Sequence, residues 1–184
     1  MIIIKINKFI YITCLTFYLI ILTWIIIFKL GDQESLIDNY HILITLNDFE
    51  RLTMLIVPFI NLDIKDFILN ILIFIPFGFL ILFMFEDIKF TQILFIGFEV
   101  SLVYEILQFF TLLGGFSSND LIANTIGTCT GYLLFKLIID QKQEKTKLIF
   151  SSIISFIMFP LMIYSIINTL SAIDLYSLII TRNL

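Results

Sequence analysis

Between Phe9 and Phe28, twenty consecutive residues carry no charge. At 1.5 Å of rise per residue a helix of that length is about 30 Å long, which is roughly the thickness of the hydrocarbon core of a bilayer. Inside lipid every backbone N–H and C=O must be satisfied within the protein, so such a run has to be helical. Lys5 and Lys8 precede it, as basic residues precede a secretory signal. The run is longer than a signal core, however, and no small-residue cleavage pattern follows it. It therefore reads as a retained span over residues 9–30, with Trp24 near one interface.

Four more apolar stretches follow, at 67–85, 91–113, 120–139 and 148–170. Composition explains why they cannot fold as a soluble core. The 184 residues are 60% hydrophobic and 14% charged, and 21 of them are Phe. Soluble domains run about 45–50% apolar and about 25% charged. The expected fold class is all-α, a polytopic membrane bundle of about five transmembrane helices. Residues 1–184 form a single integral membrane domain.

The connection at 31–66 holds seven acidic residues, from Asp32 to Asp66, against Arg51 and Lys65. Its middle, 42–59, is apolar enough to lie in the membrane interface, and Pro58 is expected to end any helix there. Pro76 and Pro160 fall inside spans and predict kinks. The tail at 171–184 reads as a surface-lying stretch. His41 stands alone in a loop, and Cys14 and Cys129 lie in apolar segments, where a free thiol behaves as a small hydrophobe. No zinc-ligand spacing occurs, so neither metal nor cofactor is expected. Nor is nucleic acid an expected partner; the expected surroundings are the lipid bilayer.

Basic residues set the orientation. With the N-terminus in the cytoplasm, Lys5, Lys8, Lys89, Lys136, Lys142, Lys145 and Lys147 lie inside, and Lys29, Arg51, Lys65 and Arg182 lie outside. The bias favours N-inside and C-outside, in a cytoplasmic membrane, and makes the acidic loop extracellular.

The polar residues within the spans then carry the functional reading. Asn70 opens the second span on the outer side. Glu105 and Gln108 lie roughly 12 and 7 Å below the outer end of the third. Asp120 and Asn124 open the fourth. Glu105 and Gln108 share a helix face, which Ser101 extends, and Asp120 and Asn124 share another. The expected arrangement is a polar pocket under the outer leaflet, built by three helices. Pro76, Gly78, Gly127 and Gly131 read as packing residues, the last two as a GxxxG contact.

These same polar residue types can merely hydrogen-bond helices together, and Asp120 can serve as an N-cap. A charged carboxylate near the bilayer centre nevertheless costs on the order of 3 kcal/mol, which a scaffold alone would not require. Glu99 lies on a different face from Glu105 and reads either as a second functional acid or as a neutral buried residue.

Three blocks resemble the VanZ-like family of membrane proteins. They are Val57-Pro58-Phe59, then Asn70-Ile71-Leu72-Ile73-Phe74-Ile75-Pro76-Phe77-Gly78-Phe79, and then Glu105-Ile106-Leu107-Gln108 with Asp120 to Gly127 and Gly131-Tyr132. They span about residues 57–135. The sequence departs from the family in the turn before Asp120, where Gly114 and Ser117 stand in place of an Arg and an Asp. An Arg there would be the natural partner of an anionic head group or of Glu105.

The resemblance implies a multi-pass protein of a bacterial cell envelope. It also implies a link to resistance against teicoplanin, a lipid-tailed glycopeptide acting at the outer face. The first expectation is a non-enzymatic protein binding a lipid-linked envelope precursor or a lipoglycopeptide. A second is a membrane enzyme with Glu105 and Asp120 as acid and base. A third is a small proton-coupled transporter. Against the enzyme stand the absence of GxSxG, of HExxH and of a Ser/His/Asp set. Against the transporter stands the absence of an internal repeat.

Overall fold

The computed structural model describes residues 2–27, 57–59, 62–85, 87–111, 116–139, 142–157, 159–160, 162–164 and 166–167. Most of the 31–66 loop, with His41, and the 171–184 tail lie outside the described residues. Five helices are formed, and among the described residues there is no strand. They are α1 (Ile2–Ile27), α2 (Ile64–Met84), α3 (Phe90–Thr111), α4 (Ser118–Ile138) and α5 (Glu144–Ile157). All five are long and apolar enough to cross a membrane, the fifth when its continuation to Tyr164 is included. The expected bundle is present, with helix ends shifted by a few residues. The largest shift of a helix start is at α1, which begins at Ile2.

Polar caps set two of these starts. Asp63 caps α2, its carboxylate accepting from Lys65 N at 2.8 Å and from Asp66 N at 3.3 Å. Ser117 caps α4, its hydroxyl accepting from Asp120 N at 3.3 Å. Each cap satisfies amide donors that have no partner within the helix.

The bundle is built on α2. Phe77 to Phe83 are buried without interruption, the signature of a helix covered on all sides. Its most extensive partner is α4, which also carries α3; α1 lies against α2 and α5. The α2–α4 contact is made backbone to backbone. A β-carbon on Gly78 would run into the Thr128 peptide group, one on Gly127 into Ile71, and one on Gly131 into Ile75 and Phe79 N. The two helices run in the same direction, with Ile71 beside Gly127 and Ile75 beside Gly131.

One end of the bundle is aromatic. Phe83 lies 4.9 Å from Phe135 edge-on and 5.1 Å from Tyr11 in a stack, and Phe79 lies 5.3 Å from Phe135. On the α1–α5 side the Phe17 ring lies 5.3 Å from Phe156, and small polar contacts join it. Ser155 Oγ donates to the Cys14 carbonyl at 3.1 Å, and Tyr11 OH donates to Glu144 at 3.2 Å. Cys14 is buried there, and Cys129 is half-buried.

Helix α2 passes through Pro76 without a break in its assignment. Proline supplies no N–H to Leu72 O and crowds the preceding turn. The fully buried Tyr18 of α1 donates its hydroxyl to Ile73 O in that turn. This hydrogen bond fastens α1 to the weakest turn of α2. Tyr18→Phe is expected to cost about 1 kcal/mol, read as a drop in thermal stability in lipid nanodiscs. An unchanged melting temperature would show that the contact adds nothing.

A buried polar face at one end of the bundle

Ser101, Tyr104, Glu105 and Gln108 follow one another at i, i+3, i+4 and i+7, so they fall on a single face of α3. All four are buried, Glu105 and Gln108 to 1% exposure. The face points into the bundle, and each residue reaches a different neighbour. Tyr104 OH and Thr23 Oγ1 of α1 are 2.9 Å apart, and Gln108 Nε2 donates to the Ile26 carbonyl at 3.0 Å. Together these two contacts dock the end of α1 on α3. Ser101 Oγ accepts from Asn124 Nδ2 of α4 at 2.9 Å.

Glu105 does something the sequence did not announce. Its Oε2 accepts from the backbone N–H of Ser117 at 2.7 Å. Ser117 is the N-cap of α4. In a capping box the N-cap N–H is taken by a Glu or Gln three residues later. Here that position is Asp120, and the acceptor comes from the neighbouring helix instead. Asp120 is thus not the N-cap that its place in the sequence allowed. It lies buried in the first turn of α4, where a carboxylate is favoured by the helix dipole.

The departure from the family pattern at Ser117 has a physical reading as well. Ser and Asp are comparably good N-caps, so the exchange keeps the helix start while removing one charge. Gly114 lies outside the described residues.

Asn124 is 2% exposed, and its Oδ1 takes no hydrogen bond from a described residue. Its own carbonyl accepts from Thr128 Oγ1 at 2.9 Å. Thr128 in turn sits against Gly97, where an added β-carbon would come within 2.8 Å of the threonine Cβ. Small residues at 97 and 128 therefore let α3 approach α4 closely enough for Asn124 and Ser101 to bond.

Asn70 stands apart. It is half-buried on α2, one residue before Ile71, and its side chain makes no hydrogen bond to the other four. Glu99 is exposed on the outward side of α3, which removes the buried reading of that residue. The Val57–Phe59 turn reaches the same end of the bundle as the polar face. Phe59 N donates to Asn119 Oδ1 of α4 at 2.7 Å, and Phe59 takes a left-handed backbone conformation with φ 64°. Its ring stays exposed, 6.4 Å from Phe67.

Thr23, Tyr104 and Asn119 were not singled out from the sequence, and Ser117 only as a departure from the family pattern. Tyr104 was recoverable, since it shares the 3–4 spacing of Ser101, Glu105 and Gln108. Ser117 acts through its own main-chain N–H and Asn119 on the main-chain N–H of Phe59, and no spacing along the chain reports that.

Five apolar helices, with glycines of α2 and α4 packed on the main chain of the facing helix and a buried polar face on α3 and α4, define a multi-pass helical membrane protein. The VanZ/LLP1 family matches residues 15–139, more than half of the chain. A curated relative, Protein VanZ of Enterococcus faecium, is 32% identical over 144 residues, covering 76% of this chain and 84% of the relative. The chain belongs to the VanZ/LLP1 family. No solved structure matches it.

Proposed function

We propose that the buried polar face binds the head group of a lipid-linked or lipoglycopeptide ligand at the outer leaflet, and that this binding changes susceptibility to teicoplanin-type glycopeptides. The observation that carries the reading is that Glu105 and Gln108 of α3 and Asp120 and Asn124 of α4 are all buried. Interhelical hydrogen bonds in membranes are worth only about 0.6 kcal/mol on average. Two carboxyl groups are a costly way to obtain that little. The Asn124 Oδ1 acceptor suits an N–H or O–H of a sugar or peptide head group. The exposed Phe59 ring, held beside the site by Asn119, suits the apolar part of such a ligand.

Glu105 is already committed to the Ser117 N–H, which favours a binding role over a proton-transfer role. Membership of the same family as Protein VanZ supports the link to the bacterial envelope.

Glu105→Gln keeps an oxygen acceptor for Ser117 N and removes only the charge. In a glycopeptide-susceptible host, wild-type protein is expected to raise the teicoplanin concentration needed for inhibition. The Gln variant is expected to abolish that rise at equal membrane abundance. Full retention of the phenotype would overturn the reading, as would cysteine labelling that placed the 114–119 turn in the cytoplasm.

A further inference from the structure

The hydrogen bonds along the seam between α3 and α4 have a polarity. Gly97 faces Thr128, and Ser101 Oγ accepts from Asn124 Nδ2. The two helices run antiparallel, so the next turn of this seam carries Glu105 on α3 and Asp120 on α4. The bond from Ser117 N to Glu105 Oε2 shows α3 meeting the start of α4 at that level. Both carboxyl groups are buried.

The donors here are turned on the protein itself. Gln108 Nε2 donates to the Ile26 carbonyl, Asn124 Nδ2 to Ser101, and Ser117 N to Glu105. The other side of the ledger is acceptors. A carboxylate accepts at about four positions and donates at none. Asn124 is 2% exposed, and its Oδ1 takes no hydrogen bond from a described residue. That oxygen is aimed into the seam, because the Nδ2 of the same group bonds to Ser101 across it. Charge runs the same way. Among the described residues of 57–66 and 101–124 the one cation is Lys65, exposed at the start of α2. The connection that enters α2 there holds seven acidic residues against Arg51 and Lys65. A region of one sign concentrates ligands of the other.

Resting on the head-group reading above, we propose that the group this seam holds is a primary ammonium, as on an amino sugar or an aminoacyl head group, and that phosphate and carboxylate head groups are refused. An ammonium brings three donors and no acceptor. It is the complement of two carboxyl groups and the Asn124 oxygen, and its bonds to carboxylates are of the strong, charge-assisted kind. A phosphate brings acceptors and further negative charge, and like charges set against each other exclude a partner. A neutral hydroxyl satisfies the Asn124 oxygen but makes no use of the two carboxyl groups.

The test uses the full chain in phosphatidylcholine nanodiscs, whose lipid has no net charge, with empty nanodiscs as the reference. Three probes share one octyl-glycoside body: octyl glucosaminide with its free ammonium, its N-acetyl form, and octyl glucoside 6-phosphate. Calorimetry is expected to show the ammonium form bound about tenfold or more tightly than the N-acetyl form, and the phosphate form not bound. Glu105→Gln and Asp120→Asn, which keep side-chain volume, are each expected to remove most of that preference while leaving the N-acetyl form little changed. Glu99→Gln, on the outward side of α3, is expected to keep it. Equal binding of the ammonium and N-acetyl forms overturns the charge inference and leaves the head-group reading standing; binding of neither overturns both. A phosphate form bound as well as the ammonium form sinks the proposal, as does a preference that survives in both Glu105→Gln and Asp120→Asn or disappears in Glu99→Gln.

Discussion

Gly131→Ala is expected to be among the most damaging single-methyl changes at the described glycines. A β-carbon at that position meets the Ile75 carbonyl oxygen, and it comes within 2.7 Å of Phe79 N and 3.0 Å of Gly78 C. All three are backbone atoms of α2, so relief requires moving one helix away from the other. Overpacking a core usually costs about 1–3 kcal/mol when side chains can yield. Against fixed backbone the cost should reach the top of that range or exceed it. The damage would also spread along the interface, because Gly78 and Gly127 depend on the same close approach. With total stabilities of about 5–15 kcal/mol, the variant should accumulate poorly and melt well below the wild type. Gly97→Ala is the internal comparison. Its β-carbon meets only Thr128 side-chain atoms, the nearest being the Cβ at 2.8 Å, so α3 and α4 must part slightly there, but no main-chain atom of a neighbouring helix stands in the way. The loss there should be nearer 1 kcal/mol. Ile126→Ala, on an exposed face, should be close to neutral. Melting temperatures of the three in nanodiscs, ranked in that order, would establish that the α2–α4 contact holds the bundle. An Ala at 131 that melts like the wild type would refute it.

The glycines also show what a single sequence conveys. The apolar lengths of the spans follow directly from the bilayer, because hydrocarbon thickness fixes residue number and lipid forces helix. The GxxxG spacing at Gly127 and Gly131 marked a close helix contact, and Gly78 separately marked a place where some neighbour comes close. The spacing could not show that Gly78 receives Thr128, or that α2 and α4 run side by side in the same direction. That pairing depends on which helices become neighbours across the bundle. Helix starts were less legible: the apolar run put the second span at 67, whereas Asp63 caps α2 and the helix begins at Ile64. Lys5 and Lys8 looked like an end to the first helix, yet α1 continues through them, because a helix need not stop where the membrane does.

The polar face divides in the same way. Spacing alone puts Glu105 and Gln108 together, and the buried stripe extends from them to Ser101 and Tyr104. Asn70 was grouped with them by depth, but depth does not set rotation about the helix axis, and its side chain bonds to none of them. Glu99 was ambiguous because the sequence shows that it faces away from Glu105 without showing what lies there. The bonds from Gln108 to the Ile26 carbonyl and from Ser117 N to Glu105 involve main-chain atoms. Any residue type would supply those atoms, so no residue pattern announces them.

The second large effect is expected from Glu105→Ala. Ser117 N is the N-cap amide of α4, and the 2.7 Å bond to Glu105 Oε2 links it to α3 across the short turn between the helices. Truncation removes the acceptor. A buried donor left without a partner costs about 1–3 kcal/mol, the partly buried Ser117 N–H falling toward the lower end, and the deleted side chain adds a cavity beneath the turn. Hydrogen exchange of the segment 116–121 should therefore speed up by about tenfold or more, since every 1.4 kcal/mol of local opening free energy is a factor of ten. Exchange within 74–83, in the buried middle of α2, should change far less. Glu105→Gln should restore most of the protection, because its amide oxygen can accept the same hydrogen bond. A pair of variants that exchange alike would show that Ser117 does not rely on this acceptor. If Ala loosens the turn while Gln does not, and Gln still removes the glycopeptide phenotype, then the carboxylate has two separable roles. Its oxygen holds the start of α4, and its charge serves the ligand.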